Sequence, residues 1–163
     1  MEAIAVLVVD PERRFVDASP EALDLFGVDL LTLRTKRVGD FTMPPEREAV
    51  VAAFETMVSS GAEGFVGEAD IVRPDGTALR IRFTTAPHPD RPGHYKSILR
   101  SLGPAADRIE IRTVAQVLAD WRAAERDLAT ATAGSPEHAE ASDRVDTLRA
   151  EYQEVTGRHP QAR

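Results

Sequence analysis

The chain has 163 residues, 42% of them hydrophobic, enough for one core and an appendage. Its formal net charge is −7 and its Lys and Arg are scattered, which excludes the basic stripe that nucleic-acid binding needs. It contains no cysteine, so a disulfide framework, a Cys-ligated metal and a Cys nucleophile are excluded, and the composition fits a cytoplasmic protein.

The run "IAVLVVD", 4–10, is rich in β-branched residues and reads as a buried strand ending at Pro11. No apolar run is long enough to span a bilayer, so no membrane association is expected, and the opening "MEAIAVLVVDPE" lacks the basic start of a secretory signal. "DPERR" is a turn and "RFVDA" the returning strand. Ser19-Pro20-Glu21 then starts a helix: Ser19 caps, Pro20 suits the first position, Glu21 complements the dipole, and Gly27 stops it. Asp29 caps a further short helical piece, Leu30 to Leu33.

Pro44-Pro45 opens a longer helix that Gly61 ends, with Val50, Val51, Phe54, Met57 and Val58 on one stripe. Three strands follow, near 65–73, 78–85 and 94–102. The first two are joined through Asp75-Gly76, the strongest hairpin signal in the chain. In the second, Leu79, Ile81 and Phe83 alternate with Arg80, Arg82 and Thr84.

Gly103-Pro104 marks a boundary between two units, 1–103 and 104–163. Beyond it, Thr113 with Gln116 forms a capping-box pattern, and a helix runs to about Ala133. Gly134-Ser135-Pro136 starts the next helix. The narrow seams Val114, Leu118, Trp121, Leu128 and Val145, Leu148, Tyr152, Val155 predict a two-helix hairpin or coiled coil. Short helices need packing partners, so these are expected either to pack on their own sheet or to pair with a second subunit; a homodimer is favoured, and a signalling partner is the further possibility.

Residues 3–102 resemble a PAS domain, the small sensory module of signalling proteins. The resemblance is carried by "VVDPERRFVDASPEALDLFG", with Asp10, Pro20, Ala22 and Gly27 in the family's places, and by "IVRPDGTALRIRFTTAP". Two positions depart from the family: Ser19 stands where Asn is usual before Pro, and "DPERR" replaces the usual Asp-Gly turn. The resemblance implies an α+β fold, a five-stranded antiparallel sheet with helices across one face, followed here by the C-terminal hairpin. It also implies a gap between sheet and helices that holds a ligand in some members and side chains in others.

For that gap the expected lining is Leu31, Leu33, Val38, Phe41, Met43, Phe54, Met57, Leu79, Ile81 and Phe83, either around a small organic ligand or packed together. Arg34, Lys36 and Arg37 stand ready for a carboxylate or simply form a solvated loop. The identity of any cofactor is open. Relatives that bond flavin or a coumaric chromophore need a Cys, which excludes both, and 44–61 lacks the His that haem-binding relatives use.

No catalytic constellation appears. His88, His94, His138 and His159 show no metal-ligand spacing, Ser135 lies outside any nucleophile elbow, and no phosphate-binding Gly loop is present. His138 sits on a hairpin helix, as in sensor kinases, but its flanks do not match and no ATP-binding segment is present. The expectation is a non-enzymatic sensory protein. The alternatives are a ligand-free dimerisation adaptor and, least favoured, an enzyme using the α+β cleft.

Overall fold

The structure is a computed structural model and describes residues 4–44, 46–106 and 110–157. Strand β1 (Ala5–Val9) turns back through Asp10, whose carboxylate accepts the N–H groups of Glu12 and Arg14, into β2 (Phe15–Ala18). Burial raises the Asp10 pKa and the hydrogen bonds from Arg14 and Glu12 lower it; the net shift is downward. Arg13 takes φ 70° in this turn, the left-handed conformation that a tight reversal requires.

Ser19 then caps α1 (Pro20–Phe26). Its Oγ accepts the Ala22 N–H at 3.3 Å and also the Val6 N–H at 3.0 Å, so one hydroxyl closes the helix start and ties it to β1. Gly27 ends the helix in the left-handed region, φ 67°. Asp29 caps the single turn α2 (Leu30–Leu33), and α3 (Glu46–Ser60) buries Val50, Phe54 and Met57. Pro45, expected to help open this helix, lies outside the described residues.

β3 (Phe65–Val72), β4 (Ala78–Pro87) and β5 (Tyr95–Pro104) follow in antiparallel pairing, with Gly76 at φ 88° in the β3–β4 turn. A sixth strand, β6 (Glu110–Thr113), pairs antiparallel with β3, so the sheet runs β2-β1-β5-β4-β3-β6. This corrects the expected five strands. β6 covers the β3 edge, which would otherwise present unpaired backbone groups. It leads directly into α4 (Val114–Thr130), whose capping box joins Thr113 and Gln116 reciprocally. That helix ends at Thr130, short of Ala133. α5 (Pro136–Thr156) follows, capped by Ser135.

Helices α1–α3 cross one face of the sheet, as expected, and the C-terminal hairpin covers the other. The inner face packs Leu7, Phe15, Phe65, Ile71, Ile81, Phe83 and Leu99 against α1–α3. The outer face carries α5 across β3 and β4, with Val66, Val114, Val117 and Val155 as its apolar contact. β3 is therefore buried on both sides, which explains why its burial does not alternate.

Candidate functional site

Two places bring functional side chains together: a cavity inside the domain, and the charged contact between the outer sheet face and α5.

The cavity is small, about 60 Å³. Val38, Phe41, Phe54, Ile81 and Phe83 of the expected set line it, joined by Phe15, Phe26, Phe65 and others. Leu33 and Met57 are buried in the same core and Leu79 packs half-buried against that core, but none of the three lines the void. Met43 is half-buried away from it, its N–H on the Asp70 carbonyl. Leu31 is 76% exposed and does not belong to the site. In a one-turn helix Leu30 and Leu33 share the inward side, which turns Leu31 to solvent.

Of the cavity's aromatic wall, sequence reasoning named Phe41, Phe54 and Phe83 but missed Phe15, Phe26 and Phe65, and it missed the polar floor. Phe15, Phe26 and Phe41 form a triangle, with ring centroids 6.3 Å (Phe15–Phe26), 6.2 Å (Phe15–Phe41) and 4.8 Å (Phe26–Phe41) apart. Thr85 Oγ1 and Ser97 Oγ lie 2.8 Å apart and satisfy each other. The alternation of β4 places Thr85 beside Phe83 on the inner face and was the available signal. Of the cationic loop, the exposed Arg34 donates to the Val16 carbonyl at 3.1 Å, and the Arg37 N–H donates to Asp40.

The outer contact is ionic. Arg112 Nη2 donates to both Glu151 carboxylate oxygens at 2.9 and 2.7 Å, and Arg100 Nη1 donates to both of Glu154 at 2.7 Å. Thr84 Oγ1 donates to Glu154 at 3.1 Å. Burial lowers the Arg112 pKa, but Glu151, with help from Asp120 and Glu110, raises it more, so the guanidinium stays charged. A concavity of about 630 Å³ lies beside this contact, between the end of α5 and the outer side of β4 and β5.

The hairpin closes on itself within the chain. Trp121, Ala124, Leu128, Val145 and Leu148 form its distal cluster; Val114 and Tyr152 belong to the cluster on the sheet. Leu118 is half-buried and in neither cluster; Val117, fully buried, takes the expected seam position. The seams are therefore 114-117-121-124-128 and 141-145-148-152-155, alternating three- and four-residue steps. Small side chains at Ala124 and Ala141 concealed this from a search for large apolar residues.

Among the described residues no group of His, Asp and Glu is arranged to hold a metal, and no helix is long and apolar enough to cross a membrane. His88 and His94 flank the β4–β5 turn, where His88 Nδ1 accepts the Asp90 N–H at 3.1 Å. His138 sits in the first turn of α5, its backbone N–H on Ser135. His159 lies outside the described residues.

No protein-family model matches the sequence, and no curated protein matches it. Solved structures do. A LOV protein of Rhodobacter sphaeroides is 14% identical with TM-score 0.55, over 97% of this chain and 92% of that one. A PAS domain of a Colwellia psychrerythraea protein is 17% identical with TM-score 0.54, over 61% and 86%. A domain of a sensory box sensor histidine kinase/response regulator from Geobacter sulfurreducens is 18% identical with TM-score 0.52, over 60% and 82%. The chain has the PAS fold. Its likeness to the Rhodobacter protein spans the C-terminal helices as well.

Proposed function

We propose that this is a non-enzymatic sensory or regulatory protein of signal transduction, with 1–103 as the sensing unit and 104–163 as the transmitting unit. The observation that carries the reading is the clasp of α5 onto the sheet by Glu151 and Glu154. Transmission through α5, held to the sheet by ion pairs over a small apolar contact, requires a second, undocked arrangement. A ligand or partner acts by binding one of the two better. The likeness to a domain of a sensor histidine kinase supports the same reading at the level of fold.

The cavity volume separates the forms this function takes. Sites for drug-sized ligands are roughly 300–1,000 Å³, and the interior void here is about 60 Å³. It suits a very small molecule or none. The larger concavity lies at the hairpin, which favours protein contacts as input or output, including a second copy in a homodimer. The ligand-free adaptor is the second reading, favoured by the same small void.

Native mass spectrometry of the purified chain, followed by denaturation and analysis of released small molecules, tests the choice. A stoichiometric released compound supports the ligand sensor. Repeated ligand-free preparations support the adaptor. Turnover abolished by changing one cleft residue overturns the non-enzymatic reading. The same spectra report whether the protein is a dimer.

A further inference from the structure

Asp70 is fully buried on β3, where three parts of the fold meet. Its backbone N–H donates to Glu46 Oε2 at 3.0 Å, in the first turn of α3. Its carboxylate accepts the Ala106 N–H, in the connection from β5 to β6, at 3.2 and 3.1 Å. It also accepts from Arg80 Nη1 at 3.2 Å.

The contacts continue without a gap. Arg80 Nε donates to Glu68 Oε2 at 3.3 Å, and Arg82 Nη2 to Glu68 Oε1 at 2.9 Å. Arg82 Nε then lies 3.9 Å from Glu151 of α5, the residue that Arg112 also holds. At the other end, Val50 and Phe54 line the cavity one and two turns along α3 from Glu46. A line of contacts thus runs from the helix over the cavity to the helix that clasps the sheet: a hydrogen bond to the Asp70 backbone at its first step, and shared charges from the Asp70 carboxylate onward.

We propose that Asp70 couples α3 to the docking of α5, through competition among carboxylates for two arginines. The inference rests on the reading of the hairpin as the transmitting element. Asp70 takes part of Arg80, which leaves Glu68 to Arg82, which in turn weakens the hold of Arg82 on Glu151. Displacing Asp70 shifts Arg80 toward Glu68, releases Arg82 toward Glu151 and tightens α5. Partly buried charges act strongly on one another because the surroundings screen them little. A movement at the start of α3 enters the line through the Glu46–Asp70 hydrogen bond.

The sign makes the idea testable, because simple damage would loosen α5 and this mechanism tightens it. Amide hydrogen exchange of 148–156 is measured relative to β4 amides in the same sample. Asp70→Asn is expected to slow α5 exchange at least twofold, and Glu68→Gln, a second route should that variant fold poorly, to do the same. Both effects should vanish in an Arg82→Gln background, the non-additivity that one line of contacts demands. Faster or unchanged α5 exchange in Asp70→Asn, or in Glu68→Gln where Asp70→Asn does not fold, or slowing that persists without Arg82, overturns the coupling. If Glu151→Gln loosens α5 while Asp70→Asn leaves it unmoved, the coupling falls and the transmitting role stands. If Glu151→Gln leaves α5 docked, the transmitting role falls, and the coupling with it.

Discussion

Arg112 and Glu151 are 39 residues apart, and one guanidinium nitrogen bridges both oxygens of the carboxylate at 2.9 and 2.7 Å. The pair joins β6 to α5, so the sheet's last strand and its covering helix are held by the same contact. Losing either residue leaves the other, partly buried, with weaker partners: Arg112 keeps Asp120 and Glu110, and Glu151 keeps Arg82 at 3.9 Å.

Glu151→Gln should therefore loosen α5. It leaves Arg112 with Asp120 and Glu110 alone and removes the facing charge from Arg82. We expect a loss of about 1–3 kcal/mol, below the full cost for a buried pair because Arg112 is partly solvated. Trp121 emission reports it, since that ring rests 5.6 Å from Tyr152 of α5. An unchanged emission and melting curve would contradict the clasp.

Phe54→Ala should enlarge the interior void. Phe54 is 1% exposed, lines the cavity and meets Tyr95 edge-on at 5.3 Å. The expected cost is about 3–5 kcal/mol. Benzene should recover part of it by filling the apolar space, read as a rise in melting temperature of the variant and none in the parent. Equal shifts in both proteins would show that benzene does not act at this cavity.

Gly67→Ala should disturb β6. An added Cβ would meet the Glu110 carbonyl at 2.5 Å and the Phe83 ring at 2.7 Å. Gly67 has ordinary strand geometry, so the reason is space alone. β6 is expected to separate from β3, with fast exchange at 110–113 and a new tendency to associate through the exposed β3 edge. Retained protection at 110–113 would refute this.

Acid should weaken the domain through Glu68. Burial raises its pKa, but hydrogen bonds and charge from Arg82 and then Arg80 outweigh burial and lower it below the ordinary 4.5. A depressed folded pKa stabilises the fold above the unfolded value, and that contribution is lost as pH falls through the folded one. Stability from urea titration should therefore fall below about pH 4.5, and Glu68→Gln should flatten that part of the profile. An identical acid slope in the variant would assign the effect to other carboxylates.

Much of the fold was legible because its signals are local. Ser19 with Pro20 and Gly27, Asp75 with Gly76, Thr113 with Gln116, and Ser135 with Pro136 each act across a few residues, and each marks an observed turn or helix end. The expected strand near 94–102 is observed as β5, 95–104. β6 was not legible: "EIRT" is four residues long, and its strand character depends on the β3 edge more than forty residues away. Leu31 misled because apolar composition alone does not say which side of a one-turn helix is inward. Leu118 misled because its neighbour Val117 takes the seam position and the seam continues through Ala124.

The sequence by itself determined the order of the helices and of every strand but β6, the start and stop of most of them, and the exclusion of cysteine-bonded chromophores. Neighbouring residues set backbone preferences, so this information lies within short windows. Only the tertiary structure decided that Arg82, Arg100 and Arg112 meet Glu151 and Glu154, and that the interior void is about 60 Å³. Both outcomes depend on side chains brought together from distant segments. A charge pair needs the strand register and the helix placement together, and a void is the space such packing leaves over.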